Sequence, residues 1–565
     1  MKKLIIFLIC LYSIGPAFAQ SNNFNIGQLE SEVKSGIQKA YAASVQIANL
    51  DSANRKVGGY FSGVVVDADG HILTAAHAVT PNALYLVTFS DGRAFKAKGL
   101  GVIHSIDAAM IVITEKGKWP FAKMGWSSIL EPNMPCISIA YPGSLITVTK
   151  PTVRLGQLAE LKHETGFMRS TCLMEPGDSG GPLFDLKGRV IGIHSRISLS
   201  IDVNLEVPVD HFRKYWTALK TPAVHTAFIP EDKFKVDKKV DQVEPIPEME
   251  QLISSTEPSL SASKNVFTVK DSSFNISILG TLVNLKGIVA ESDLKGKSFF
   301  ISKCSMVGPN PKVEMADGNM VAAQVLSRDD ANDLVLLQIP QEIAGGVSLS
   351  KVQADYAFDK LGSILISPKP HAAGEISVLG NVKVRVPKSA ASYLGVGVNY
   401  RTDDRAIVVT ALYPLATEKK KIGTNDIAAM DVLKKINNRL VLTIDDIPDE
   451  LSKYKTNDTV TLQYAKKSAI LYTQTFTLKP RYVKTSAQED KFTDGKSERR
   501  DNFKEVLVHD GKLKPSECGG PLFDMKGNFY GINIARLSRT SSLTIPAPVI
   551  VEFVKGITLF KSKEK

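Results

Sequence analysis

The seven residues Ser179 to Asp185, Ser-Gly-Gly-Pro-Leu-Phe-Asp, return at Cys518 to Asp524 with only the first one changed. Six identical residues around one altered position are not a chance event in a chain of 565 residues, so whatever fold holds the first segment is built twice. The flanking sequence agrees. Asn265 to Val269 repeats the strand Ala43 to Ile47, and Ile278 to Val289 repeats a hairpin that runs from Phe61 to Thr74. Asn332 to Leu337 repeats the run that begins at Asp107.

The repeated unit reads as all-β. Gln28 to Ala40 has apolar residues at helical spacing, at Leu29, Val33, Ile37 and Ala40. After it come short Val- and Ile-rich runs at 61–66, 85–89, 110–114, 137–140, 152–159 and 190–195, separated by turn signals such as Asp69-Gly70. Many short strands of this kind close into barrels or sandwiches. From 221 to 257 the chain turns to Pro, Lys, Glu and Asp, the composition of a linker, with one short helix expected at Met249–Ile253. The second copy then occupies 258–388 and 482–565, interrupted by 389–481, which has no counterpart in the first.

Lys2 and Lys3, an apolar run from Leu4 to Ile14 and the small-x-small Ala17-Phe18-Ala19 predict a signal peptide over 1–19 and an exported, periplasmic or secreted, mature protein. Cys10 belongs to that signal. Cys136, Cys172, Cys304 and Cys518 remain, too few for a disulfide framework, with room for one bridge between Cys136 and Cys172 in an oxidising compartment. The formal net charge of +11 comes from scattered lysines without interleaved aromatics, which argues against a nucleic-acid partner. No later segment is long and apolar enough for a stable helical membrane anchor.

Three motifs in the first copy carry chemistry. Thr74-Ala75-Ala76-His77 ends a hairpin, Ser105-Ile106-Asp107 precedes a strand, and Gly177-Asp178-Ser179-Gly180-Gly181-Pro182 is a glycine-rich turn. A serine needs a base within hydrogen-bond reach to become a nucleophile, and the base needs a group that fixes its tautomer. His77 fits the base and Asp107 the orienting acid, although Asp107 has His104 as a rival partner. The N–H groups of Gly177 and Ser179 fit an oxyanion hole. The Gly-x-Ser-x-Gly elbow of α/β-hydrolases is disfavoured, because Pro182 and a turn follow the serine where a helix is required.

On these residues, 24–220 resembles the HtrA type of trypsin-like serine protease. The resemblance implies two trypsin-like double β-barrel domains in tandem, the active one over 20–220. It also implies a substrate pocket with Leu173 at its base and Ile197 on its wall, taking small or medium aliphatic side chains. Asp178 departs from HtrA relatives, which commonly have asparagine there. In secreted trypsin-like enzymes that aspartate meets a newly cut N-terminus, so its partner here is unassigned.

The interruption, with Leu394-Gly395-Val396 at the place of a carboxylate-binding loop, resembles a PDZ domain that adds a peptide strand to its sheet edge and caps a C-terminus. Met430 stands there where many relatives carry a turn glycine. In the second copy, alignment of the hairpins puts Leu294 opposite His77 and Cys518 opposite Ser179, with Asp333 kept and Ser516 replacing Gly177. That copy reads as a degenerate protease. The expectation is an exported serine endopeptidase acting on unfolded proteins or peptides, with no cofactor and no metal. The rival is a peptide-binding holdase whose triad stays idle.

Overall fold

The computed structural model describes residues 25–557 except 52–53, 55, 146–149, 238–242, 247–261, 272–273, 353–354, 389–391, 402–403, 405, 413–425, 444–445, 455–456, 467–469, 481–491 and 493–494. The signal segment and the helix expected at Met249–Ile253 lie outside the described residues. Among the described residues, no helix is long and apolar enough to cross a membrane.

The first copy is a pair of closed six-stranded barrels, as the short β-branched runs predict. One contains β1 (Ser44–Leu50), β2 (Lys56–Val65), β3 (His71–Ala75), β4 (Leu84–Phe89), β5 (Ala94–Ile103) and β6 (Ala108–Ile113), in the order β1-β2-β3-β6-β5-β4. The other contains β7 (Pro135–Ala140), β8 (Thr152–Glu160), β9 (Met168–Ser170), β10 (Pro182–Asp185), β11 (Val190–Ile197) and β12 (Asn204–Pro208), in the order β10-β11-β12-β9-β8-β7. Closure removes the unpaired edges that a short open sheet would expose.

The second copy repeats this plan. Its second half is a closed barrel of Ile364–Lys369, Ala372–Val386, Phe503–His509, Pro521–Asp524, Phe529–Arg536 and Ser542–Pro546. Its first half has the strand order of the first barrel, but the strand equivalent to β5 is broken at Ala323 into Met320–Ala322 and Gln324–Asp329. The Ala323 N–H donates to the Pro311 carbonyl at 2.8 Å and so extends the pairing of Met320–Ala322 with Pro311–Glu314.

The interruption is a unit of its own. Ser392–Tyr393 pairs with Lys479–Pro480 as a two-stranded ladder. Beyond it, Val396–Arg401, Ala406–Leu412, Val432–Ile436, Thr459–Ala465 and Leu471–Thr477 form one antiparallel sheet in that order, accompanied by the helix Asp446–Leu451.

The copies are packed on each other. The helix α1 (Ile26–Ala40) buries Leu29, Val33, Ile37 and Ala40 in a core that also takes Leu361, Ile364 and Val378 of the second copy. Glu30 on the same helix accepts the Ile364 N–H at 3.0 Å. Asp510 accepts the N–H of Leu155 on β8 at 3.0 Å and that of Val378 at 2.7 Å, one carboxylate joining both copies. The described part of the stretch read as a linker lies along the first copy. Val243 and Ile246 are buried in its core, and Phe234 stacks on Trp126 at 5.8 Å. Three apolar residues dispersed among charges give no periodic signal, which is why the sequence shows only a linker.

Candidate active site

The candidate residues meet in the crevice between the first two barrels. His77 lies in the single 3₁₀ turn after β3, and Asp107 ends the 3₁₀ turn before β6. These strands are antiparallel neighbours, with Ala75 opposite Ala108, so their adjoining ends bring the two residues together. Asp107 has φ of 52°, a left-handed conformation that aspartate tolerates better than most residues. Its Oδ1 accepts the His77 backbone N–H at 3.0 Å, and its two oxygens lie 3.1 and 3.0 Å from His77 Nδ1. The Ser195 hydroxyl on β11 donates to Oδ2 at 2.5 Å. Burial pushes the Asp107 carboxyl up, but its bonds with His77 and Ser195 outweigh burial and hold it below the ordinary carboxylate range. The carboxylate therefore goes to His77 rather than to His104, which is linked to Asp107 through a backbone bond of the turn.

Ser179 is half-buried on the turn before β10, and hydrogen bonds from both barrels fix that turn. The Ser62 N–H donates to the Ser179 carbonyl at 2.9 Å, and the Gly180 N–H donates to the His194 carbonyl at 2.8 Å. Gly180 has φ of +80°, and a Cβ there would stand 1.9 Å from Thr74 Oγ1, so any other residue would push the nucleophile turn off β3. Among the described residues, no hydrogen bond joins the His77 ring to Ser179 Oγ; such contacts are often long in substrate-free enzymes.

Gly177 has φ of +101°. The Pro176 carbonyl accepts from Gly143 N–H at 2.7 Å, and the Gly177 carbonyl accepts from Ser62 Oγ at 2.8 Å. In a trans peptide C=O and N–H point in opposite directions, so the Gly177 N–H faces away from Gly143.

Asp178 finds its partner inside the chain. Arg154, on β8, donates through Nη1 and Nη2 to its two oxygens at 2.9 and 3.1 Å, both side chains being essentially inaccessible. The Glu175 N–H adds a third bond at 2.9 Å. Burial pushes the Asp178 carboxyl up to about 6, against the pull of the Arg154 guanidinium. An internal arginine thus stands where a new N-terminus would be needed in a secreted trypsin-like enzyme. Nothing in the sequence links position 154 to 178. Ser195 was closer to legible, since it stands in the His194-Ser195-Arg196 run of the wall strand.

Leu173 is buried and lines a cleft of about 510 Å³ between the first copy and residues 375–378 of the second, whereas Ile197 is half-buried and does not line that cleft. Cys136 and Cys172 face each other inside the second barrel, Sγ to Sγ 3.9 Å, as free thiols. In the inserted sheet, Leu394 is buried in the core, Val396 packs on it, and Gly395 has φ of +76°.

Residues 61–193 match the family of trypsin-like peptidase domains. That part of the chain is a trypsin-like peptidase domain of the HtrA type. It is 35% identical over 160 residues to serine protease HTRA1 of Xenopus tropicalis, an alignment covering 27% of this chain and 35% of that protein. The putative protease Do-like 14 of Arabidopsis thaliana is 34% identical over 175 residues, covering 27% and 41%. A probable periplasmic serine endoprotease, DegP-like, of Pseudomonas fluorescens is 33% identical over 166 residues, covering 28% and 35%. The chain spans 35–41% of the length of these curated relatives.

The trypsin-like frame also corrects the reading of the second copy. In the first, Ala76 N–H meets the Asp107 carbonyl and His77 N–H meets its carboxylate. In the second, Cys304 N–H meets the Asp333 carbonyl and Ser305 N–H meets its carboxylate, each at 2.7 Å. The position of His77 therefore belongs to Ser305 and not to Leu294, which ends a short helix before the strand Ser298–Lys303. That helix is an insertion in the hairpin, and it shifted the alignment. Lys303 Nζ lies 2.5 Å from Asp333 Oδ2.

Cys518 does occupy the place of Ser179, with the Leu279 N–H on its carbonyl at 3.2 Å and the Gly519 N–H on the Asn533 carbonyl at 2.7 Å. It is fully buried, and burial pushes its thiol up. His509 is turned to Ser377 and Asn533. The edge of Arg536, the equivalent of Ile197, is taken by the chain itself. Ser497 N–H donates to the Arg536 carbonyl and Arg536 N–H to Ser497 Oγ, both at 2.9 Å.

Proposed function

We propose that the chain is an exported serine endopeptidase of the HtrA type, with His77 as base, Asp107 as its orienting acid and Ser179 as nucleophile. The observation that carries this reading is the carboxylate of Asp107 held between the backbone and ring of His77 and the hydroxyl of Ser195. So placed, Asp107 fixes a proton on His77 Nδ1 and leaves Nε2 to take the Ser179 proton as the serine attacks a peptide carbonyl. The N–H groups of Gly177 and Ser179 receive the oxyanion. His77 then protonates the leaving amine, and water releases the acyl group by the reverse path.

Leu173 and Ile197 do not line one cleft in this structure, but both are apolar, which favours small or medium aliphatic residues before the cut. The insertion 389–481 recruits peptides as a PDZ-like module through Leu394, Gly395 and Val396. A left-handed Gly395 between two core-packed residues supports that role. The second copy is a degenerate protease, because Ser305 is no base and Cys518 is buried.

The test is degradation of casein by the mature chain beside Ser179→Ala and Cys518→Ala. Loss with Ser179→Ala alone supports the reading. The absent His77–Ser179 bond favours one alternative, a holdase with an idle triad. A wild type that binds unfolded protein, cuts nothing and does not react with a fluorophosphonate at Ser179 would establish it.

A further inference from the structure

We infer that the second copy is the device that sets the active-site loops of the first, through Arg539 and Thr540 as positioning residues; this rests on the peptidase reading above. The hairpin between the second copy's strands Phe529–Arg536 and Ser542–Pro546 reaches out of its own barrel at 537–541 and lands on two loops that flank Ser179.

Arg539 is fully buried. It donates from Nη1 to the Ser198 carbonyl at 3.1 Å and from Nη2 to the Ser200 and Val203 carbonyls at 2.6 and 3.5 Å. Those carbonyls belong to the turn between β11 and β12, directly after the wall residue Ile197. Burying a guanidinium is costly unless its donors are satisfied; three carbonyls of a single turn take up the Nη donors, while Nε has no partner among the described residues, so the side chain depends on that turn keeping its shape.

Thr540 acts on the other loop. Its hydroxyl donates to Glu175 Oε2 at 2.9 Å, and Glu175 Oε1 accepts the Ser144 N–H at 2.8 Å. Ser144 Oγ in turn donates to Ser538 Oγ at 3.1 Å. Glu175 is the first residue of the turn that delivers Gly177 and Ser179. Its N–H bonds the Asp178 carboxylate, and its carbonyl accepts the Asp178 N–H at 3.0 Å. The adjacent Gly143 N–H holds the Pro176 carbonyl, which orients the Gly177 peptide. The hydroxyl of Thr540 is therefore one side chain removed from the oxyanion-hole peptide.

A third contact supports the same end. Asp510 bonds the Leu155 N–H, the residue after Arg154, whose guanidinium holds Asp178. The second copy has kept a protease's shape without its chemistry, and its contacts converge on the loops that the first copy needs in order.

The experiment uses the full mature chain carrying Thr540→Val, Thr540→Ser or Arg539→Ala, with the exposed Lys526→Ala as a surface control. Three quantities are read: the rate of fluorophosphonate labelling at Ser179, kcat and KM on an aliphatic peptide, and amide hydrogen exchange. Thr540→Val is expected to lower labelling and kcat by about 10- to 100-fold. Exchange should rise at 174–178, and Thr540→Ser should restore both. Arg539→Ala is expected to raise KM as well, with faster exchange at 198–204. If Thr540→Val labels as fast as the wild type and exchange at 174–178 is unchanged, the inference is overturned. A wild type that is not labelled at all sinks the peptidase reading and this inference with it. A wild type that is labelled beside variants that are labelled equally sinks this inference alone.

Discussion

The two copies hold the same turn in the same way but surround it with different side chains. In each, a strand N–H meets the carbonyl of the nucleophile position, Ser62 to Ser179 at 2.9 Å and Leu279 to Cys518 at 3.2 Å. In each, the next N–H meets the strand behind, Gly180 to His194 and Gly519 to Asn533. Asp107 and Asp333 share even their left-handed backbone. What differs is a handful of side chains around that frame. His77 becomes Ser305, the neutral Ala75 becomes Lys303, and an open edge becomes one occupied by Ser497. The glycine-rich turn is thus an architectural unit that keeps its backbone frame while the side chains around it change.

The sharpest way to break this contrast is at the two nucleophile positions. Ser179→Ala should reduce kcat on the order of 10⁶-fold, while Cys518→Ala leaves it unchanged, measured on a peptide substrate. Loss through Cys518→Ala would show that the second site is chemically alive.

Next comes the buried ion pair, which the second copy lacks. By strand register Glu375 stands opposite Ser367 as Arg154 stands opposite Ser138. Arg154→Met leaves the Asp178 carboxylate buried and unpaired, and should destabilise the first copy by about 3–5 kcal/mol. Chemical denaturation would read this as an earlier transition of the first copy. A variant as stable as the wild type would mean that the pair is not what holds the turn.

A smaller effect separates the barrel interiors. Glu206 accepts from Ser170 Oγ at 2.6 Å, and burial pushes its carboxyl up to about 8. The register of the second copy has Thr544 at that place, bonded to Asn533. A carboxyl whose folded value is raised binds a proton that the unfolded chain has already released. Its contribution is complete below the unfolded value and disappears as pH climbs towards 8. Glu206→Gln should flatten the decline in melting temperature between pH 5 and 8. A decline as steep as in the wild type would assign it to other groups.

The smallest effect lies in the insertion. Met430 has φ of +79°, a region that disfavours any side chain. Met430→Gly should stabilise the inserted sheet by about 1 kcal/mol, seen as slower exchange along Ala406–Leu412 and Val432–Ile436. Faster exchange would mean that the methionine side chain contributes more than its backbone costs.

What was legible in the sequence was local or repeated. The duplication, the barrels, the pairing of His77 with Asp107 and the insertion all follow from short motifs and period-two strands. The site's long-range supports were not legible. Arg154 reads like any charged residue in a strand, because nothing local shows that both faces of β8 are covered. Val243 and Ile246 look like stray apolar residues in a linker. The equivalence of Ser305 with His77 was hidden because an inserted helix breaks the register on which alignment depends. Arg539 and Thr540 are a turn's ordinary residues until the two copies are seen against each other.

The separation in sequence of those last contacts has a consequence for how the molecule comes into being. Thr540 is 365 positions after Glu175, and Ile364 is 334 positions after Glu30. At a synthesis rate of about 5–20 residues per second, the turn before Ser179 waits roughly 20–70 s for the side chain that braces it. On the inferred role of Thr540, a first copy folded during that interval would lack its clamp. A chain truncated before its last hairpin would stay in that state for good. If the second copy braces the turn as inferred, the order of the two copies lets the turn of Ser179 form before its brace arrives.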